Sequence, residues 1–164
     1  MKLTIDLKNY EPGNPVSERT AARGIIRRGE DCLMIFSKYG DYKFPGGGME
    51  NGESLEETLI REVKEETGYQ VIKGSIRKYG QVLERRKGEG SSILEMDSYY
   101  YVCDIREEAG ERNLDEYEKE YDYQIVWIPL KEALENNNRI IGKKECPWAA
   151  REAKVMELMI EKDS

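Results

Sequence analysis

The sequence predicts an α/β fold, a mixed β-sheet flanked by helices, and three observations carry that prediction. Short alternating or apolar runs with strand character recur from Leu3 to Ile128. Two stretches, Leu55–Thr67 and one ending near Ile160, place apolar residues at helical spacing. The two kinds of segment interleave irregularly, which suits a mixed sheet with helices packed on its faces.

The elements follow in order. Leu3, Ile5 and Leu7 alternate with polar residues and form a first strand, and the Pro- and Gly-containing stretch 11–15 turns the chain. Thr20–Arg27 and Cys32–Ser37 read as two strands joined through 28–31 into a hairpin. Lys43 and Phe44 are extended, because the residue before Pro45 is biased away from helix. Gly46, Gly47 and Gly48 then give a permissive backbone. The helix Leu55–Thr67 starts at Ser54 as N-cap, with Glu57 completing a capping box, and stops at Gly68 in the left-handed conformation.

Strands are expected at Val71–Lys73, Ile76–Arg86 and Ser92–Ile105, with a turn at Lys87–Gly90. The acidic stretch Arg106–Glu120 reads as loop, and Tyr123–Ile128 as a strand. Pro129 leads into a short helix, Leu130–Leu134, which Asn136, Asn137 and Asn138 end. Pro147 suits the first turn of a last helix running to about Ile160, with Trp148, Val155, Leu158 and Met159 as its buried stripe.

Composition narrows the chemistry. A length of 164 residues fits one domain, 1–164, with its own core. No apolar run approaches the roughly 20 residues of a membrane span, and the N-terminus lacks the apolar region of a secretory signal. The expectation is a cytoplasmic protein without a membrane partner. Cys32, Cys103 and Cys146 are odd in number and unpatterned, which argues against a disulfide framework. The chain contains no histidine. That removes Ser-His-Asp and Cys-His catalysis and makes a zinc site improbable, leaving carboxylates, Lys, Tyr, Cys or metal-bound water for proton transfer. A formal net charge of -7 repels long nucleic acids. A small phosphorylated substrate stays compatible, because a divalent metal reverses the local field.

The informative segment runs from Gly47 to Tyr69. Glu62, Glu65 and Glu66 stand at i, i+3 and i+4 of the predicted helix and share one face. Like charges this close repel, and a magnesium ion, which prefers oxygen ligands, removes the conflict. The other face, with Leu55, Leu59, Ile60 and Val63, is core. A Glu-x-x-Glu-Glu string alone is also what a solvated helix face looks like. That reading gives no reason for three glycines ahead of the helix, which let a phosphate or metal approach the backbone, nor for the spacing of Glu53 and Arg61. The Gly46 carbonyl could serve as a further oxygen ligand.

The pattern Gly47-x5-Glu53-x7-Arg61-Glu62-Val63-x-Glu65-Glu66-x-Gly68-Tyr69 resembles the Nudix box position by position, with Tyr69 where the family usually carries an aliphatic residue. The lead-in 43–48 is similar as well. The resemblance implies the family's α/β/α sandwich and a hydrolase that cleaves a diphosphate linkage in a nucleoside di- or triphosphate or another nucleotide derivative. It implies Mg2+, or Mn2+, held by Glu62, Glu65 and Glu66 with the Gly46 carbonyl. Arg61 and Glu53 match a pair that orients the catalytic loop and helix, and Gly47 and Gly68 match positions needed for backbone shape.

The resemblance implies a general base that is either the box glutamate Glu62 or a later loop glutamate, for which Glu118 and Glu120 are candidates. Arg23, Tyr42, Gly47 and Gly48 are candidate substrate contacts, with Tyr39 beside them. The partner expected is a small nucleotide-like molecule rather than a polynucleotide. The family often forms homodimers, and no self-association motif stands out in this chain. Other classes with this fold are a nucleotide-binding module without turnover and a diphosphate isomerase, the second disfavoured by the absence of histidine.

Overall fold

Strand alternation divides the core of this chain into two layers. The computed structural model describes residues 1–164. On strand β4 (Asp31–Phe36), Leu33 packs in one apolar cluster with Leu59 and Val63, while Cys32 and Met34 pack in another with Val155, Met156 and Met159. The same division holds on β9 (Ile93–Val102), where Tyr101 joins the first cluster and Tyr100 the second. Side chains that alternate at period two along a strand produce this result when both faces are covered. Helix α1 (Leu55–Thr67) covers one face, and α3 (Leu130–Ile140) with α4 (Ala149–Asp163) covers the other. The result is an α/β/α sandwich.

Two sheets form the middle layer. The larger has the order β1-β8-β9-β2-β6, with β1 (Lys2–Asp6), β8 (Arg77–Lys87), β2 (Val16–Ile25) and β6 (Gly46–Gly48) around β9. It is mixed: β1 runs parallel to β8 and β2 parallel to β9, whereas β8–β9 and β2–β6 are antiparallel. The smaller sheet has the order β11-β4-β3, with β3 (Arg27–Arg28), β11 (Gln124–Pro129) and β5 (Tyr42–Lys43) added against β4. The predicted hairpin is therefore shorter than expected. Strand β2 stops at Ile25 and stays in the large sheet, and only Arg27 and Arg28 pair back onto β4.

Helix α1 keeps its predicted bounds. Ser54 accepts a hydrogen bond from the Glu57 N–H at 3.1 Å, and Gly68 closes the helix at φ 80°. The capping box expected from Glu57 is half made: the Ser54 side is present, and the return bond is not among the contacts of α1. The complete box lies elsewhere. Asp115 and Glu118 cap α2 (Glu116–Glu120) reciprocally, inside the stretch that the acidic composition marks as loop. That stretch also contains β10 (Ile105–Ala109), paired with β7 (Tyr69–Val71). Only Ile105 of this strand packs against the core; Arg106, Glu107 and Glu108 are exposed and charged, so it shows no apolar alternation.

Helix α3 runs through the asparagines that were expected to end it. Asn137 is fully buried and clamps the Tyr42 backbone, accepting from its N–H at 3.0 Å and donating to its carbonyl at 2.7 Å. Helix α4 buries Val155 and Met159 as predicted, leaves Trp148 and Leu158 half-buried, and also buries Arg151 and Glu152. Glu152 accepts from the Phe44 N–H at 3.1 Å, and Trp148 donates to Asp41 at 2.7 Å. The segment from Asp41 to Phe44 is thus gripped from two helices that lie about a hundred residues further along the chain.

Replacing Asn137 with Ala strands the Tyr42 N–H and carbonyl together. Each orphaned group costs about 1–3 kcal/mol when water cannot reach it. A loss of about 2–3 kcal/mol in urea unfolding, with an unchanged m-value, is expected. A loss below half a kcal/mol would show that water replaces the clamp.

Candidate active site

The site begins on the short strand β6. Gly46, Gly47 and Gly48 pair with Arg23, Ala22 and Ala21 of β2, which lays the glycine backbone against Arg61, Glu62 and Glu66 of α1. Two glycines are required by close approach. A Cβ on Gly46, which has φ 153°, would sit 2.2 Å from the Ala22 carbonyl oxygen. A Cβ on Gly47 would sit 2.6 Å from the carboxyl carbon of Glu62. At Gly46 the neighbour is backbone and cannot yield; at Gly47 the Glu62 carboxylate would have to move away from the strand.

Arg61 ties the loop to the helix. Its Nε and Nη2 donate to the two oxygens of Glu53 at 2.6 and 2.9 Å, a bidentate pair. Nη2 also donates to the Gly48 carbonyl at 3.0 Å. Nη1 reaches Glu62 at 2.9 Å and Glu65 at 3.2 Å. These bonds hold the Glu53 carboxyl down at about 2. One guanidinium therefore fixes the glycine strand, the loop carboxylate and two helix carboxylates together.

Three carboxylates converge beside this frame: oxygens of Glu62, Glu66 and Glu118 all lie within 4.8 Å of one another. Glu66 has no solvent exposure, and its oxygens accept from the Gly46 N–H at 2.6 Å and from Lys43 Nζ at 3.2 Å. Burial pushes its carboxyl up to about 8, against the opposing pull of Lys43, and Glu118 and Glu62 push the same way as burial. Burial also raises Glu62, against the pull of Arg61. Too much negative charge is thus crowded into a dry place. Hard oxygen donors in this number and crowding fit a divalent cation such as Mg2+.

The structure brings some expected residues together and separates others. Glu62 and Glu66 meet. Glu65 lies outside the trio, a third exposed, with its carboxylate on Arg61. Glu118 completes the trio, while Glu120 is exposed on the other side of the short helix α2. Arg23 is buried to 5% exposure and donates from Nε to Ser98 at 3.1 Å. It belongs to a charged layer under α4, where Arg151 pairs with Glu84 at 2.9 Å. Tyr42 stacks on Phe36, with ring centroids 4.7 Å apart, and its backbone is held by α3. Gly48 faces Arg19, whose Nη2 lies 2.7 Å from where a Cβ would be.

Two features escaped the sequence reading. Lys43 enters the site although only its extended backbone drew notice. Tyr117, Tyr121 and Tyr123 stack edge to face around α2, at 5.6 to 6.1 Å. The Asp-x-x-Glu spacing at 115–118 was the available signal for α2.

The matched family model is that of the NUDIX domain, over residues 18–148. The chain is similar to the ADP-ribose pyrophosphatase of Methanocaldococcus jannaschii, 40% identical over 67 residues that make up 38% of each protein. It is similar to Nudix hydrolase 2 of Arabidopsis thaliana, 31% identical over 116 residues, covering 67% of this chain and 38% of that one. The match therefore spans less than half the length of either relative. Its fold is similar to that of the NUDIX hydrolase from Nitrosomonas europaea, with a TM-score of 0.58 at 15% identity, covering 85% of this chain and 90% of that chain.

Two outcomes are expected. Between the ordinary carboxyl value of 4.5 and about 8, folded Glu66 binds more protons than unfolded Glu66. Stability of the metal-free protein should then fall as pH rises through that window, because the slope follows protons bound unfolded minus folded. Melting in EDTA from about pH 5 to about pH 8 checks this, and Glu66→Gln should flatten the fall. Separately, Gly47→Ala should fold, yet bind Mn2+ at least about tenfold more weakly, because Glu62 must move by more than half an ångström. Unchanged Mn2+ affinity in that variant would show that the contact is not needed.

Proposed function

The chain belongs to the NUDIX family, and on that premise we propose that it hydrolyses a diphosphate linkage in a small nucleotide derivative, using Mg2+ or Mn2+. The observation that carries this reading is the convergence of Glu62, Glu66 and Glu118 beside a bare glycine strand. Glu62, Glu66 and Glu118 would hold the ion, with the Gly46 carbonyl as a further oxygen. When bound, the ion neutralises diphosphate oxygens and acidifies a coordinated water.

The chain's own residues supply the rest. The glycine strand accepts a diphosphate close to its backbone. Arg61 orients Glu62 and keeps the loop in register with the helix. Glu62, which lies against the glycine strand and is oriented by Arg61, would take the proton of the attacking water. Water oxygen bonds to one phosphorus as the bridging oxygen leaves it, and the leaving phosphate carries the electron pair of the broken bond. The reading favours Glu118 over Glu120 as the loop carboxylate of the site. It assigns Glu65 to Arg61 rather than to the ion.

The substrate class is supported by two features. The relative from Methanocaldococcus jannaschii is named for ADP-ribose cleavage. Tyr117, next to Glu118 and half exposed, offers a flat face to a nucleobase. The free, buried Cys32, Cys103 and Cys146 support a reducing, cytoplasmic setting. No helix is long and apolar enough to cross a membrane.

A panel of nucleoside triphosphates, dinucleotides and nucleotide sugars, incubated with Mg2+, tests the reaction. Glu118→Gln should lower kcat by about a hundredfold or more, and Glu120→Gln should leave it unchanged. Equal loss in both variants would refute the assignment of Glu118. Metal and nucleotide binding without product would replace hydrolysis by binding alone.

A further inference from the structure

Three arginines are buried beneath α4, and two carboxylates are buried with them. Arg23, Arg86 and Arg151 are 5%, 8% and 2% exposed, and Glu84 and Glu152 have no exposure. Arg151 engages both acids: its Nη1 bonds Glu84 at 2.9 Å, and its Nη2 lies 3.6 Å from Glu152. Glu152 is occupied further by the Phe44 N–H and by the Tyr100 hydroxyl, which donates to it at 2.6 Å. Arg86 has only Glu84, 3.4 Å from its Nε, and that Nε is buried without a hydrogen-bond partner. Arg23 uses its Nε on the neutral Ser98 hydroxyl and pairs with neither acid.

Three guanidinium groups against two carboxylates leave one positive charge in excess. Burial pulls the Arg86 guanidinium below its ordinary value, against Glu84. Burial pushes Glu84 up, and Arg151, Arg86 and Arg23 together hold it below the ordinary carboxyl value. One carboxylate is thus shared by three cations, and an unbalanced buried charge is strongly disfavoured until an anion completes it.

The layer continues the face of the glycine strand. Gly48 and Gly46 pair with Ala21 and Arg23, which pair in turn with Ser98 and Tyr100 of β9. Met96 of β9 pairs with Arg19 on one side and Glu84 on the other. Alternation along the strands places these side chains, with Arg86, on the α4 side. Arg19 is exposed with its guanidinium over Gly48, so the layer opens to solvent there. Arg23 reaches Ser98 on the next strand, which puts its guanidinium two strand spacings, roughly 10 Å, from the glycines. A diphosphate resting on the glycine strand meets Arg19 and does not span that distance.

We propose that Arg23 and Arg86 form a second anion subsite, which takes a phosphoryl group of the substrate separate from the diphosphate that is cleaved. This rests on the reading of the glycine strand as the seat of that diphosphate. Planar guanidinium groups match phosphoryl oxygens, and the incoming charge balances the buried excess. The substrate is then a nucleotide with a phosphate on its ribose or at the end of a longer phosphate chain, rather than one ending in an unphosphorylated sugar.

Binding to the full chain in EDTA, where metal-dependent turnover is stopped, tests this for wild type, Arg23→Gln, Arg23→Lys, Arg86→Gln and the surface control Arg27→Gln. The ligands are inorganic phosphate and two pairs. NADP+ and NAD+ differ by one ribose phosphate; ATP ends in a phosphate where ADP-ribose ends in a sugar. Calorimetry gives each Kd. Wild type and Arg27→Gln should bind phosphate, and should bind the phosphate-bearing member of at least one pair about tenfold or more tightly. A preference in the first pair identifies a ribose phosphate, and in the second a chain end. Arg23→Gln and Arg86→Gln should each weaken phosphate about tenfold or more and lose the preference, since each removes a charged donor. Arg23→Lys keeps the charge and should keep most of the binding.

No phosphate binding by wild type, or unchanged binding in both Gln variants, overturns the proposal. Equal affinity within both pairs overturns it as well. Cleavage is read separately with Mg2+ restored: if the substrate panel gives no product while phosphate binding depends on Arg23, the hydrolase reading fails and the subsite stands.

Discussion

Glu66 is a carboxylate with no solvent exposure at the junction of helix α1 and strand β6, and the surrounding structure is organised around tolerating it. An ionised carboxylate placed there without partners would cost several kcal/mol, on the order of the full stability of a small domain. Gly46 and Lys43 offset that cost only if the extended segment before the glycines keeps one position to within a hydrogen-bond length. That requirement explains the clamps. Asn137 from α3 and Glu152 from α4 both bond backbone atoms of that segment rather than each other. Two helices that contribute no carboxylate to the trio therefore determine where Lys43 and Glu66 stand.

Arg61 performs the matching task on the other side of the glycine strand. A lysine at that position could not serve, since one ammonium cannot bond both oxygens of Glu53 and the Gly48 carbonyl in one plane. Glu53 comes from the loop, Gly48 from the strand and Arg61 from the helix, so this cluster sets the angle at which α1 leaves the loop. Glu62 and Glu66 then inherit their positions from backbone geometry, and the Glu62 carboxylate lies against Gly47 with Arg61 bonded to it. The site is preorganised by elements rather than by loose side chains.

Much of this was legible in the sequence. Helix α1, its N-cap and its glycine stop follow from local residues whose partners lie within a few positions, which is why they agree. The shared face of Glu62 and Glu66 follows from helical spacing alone. The rest depended on long-range contacts. Asn137 looked like a helix stop because its propensity is that of a turn residue, yet a buried pair of hydrogen bonds to Tyr42 overrides that preference. Lys43 read only as extended backbone, because the carboxylate it pairs with is 23 residues away and no local spacing joins the two. Glu65 looked equivalent to Glu62 and Glu66 by spacing, but Arg61 lies one turn before it and claims its carboxylate. The charged run Arg106–Glu108 defeats pattern reading for a simpler reason: its exposed side chains need no apolar side.

Glu118 differs from the other two carboxylates in how it is held. Glu62 and Glu66 stand on a thirteen-residue helix packed across the sheet, whereas Glu118 stands on the single turn of α2, fixed by the Asp115 capping box and edge-to-face tyrosines. One of its oxygens already accepts from the Asp115 N–H. A cation shared by these residues would therefore join elements more than fifty positions apart and add to α2 the constraint its own length cannot provide. Order in α2 and occupancy of the trio should then be linked, and by reciprocity anything that orders α2, a substrate base against Tyr117 included, strengthens the hold on the ion.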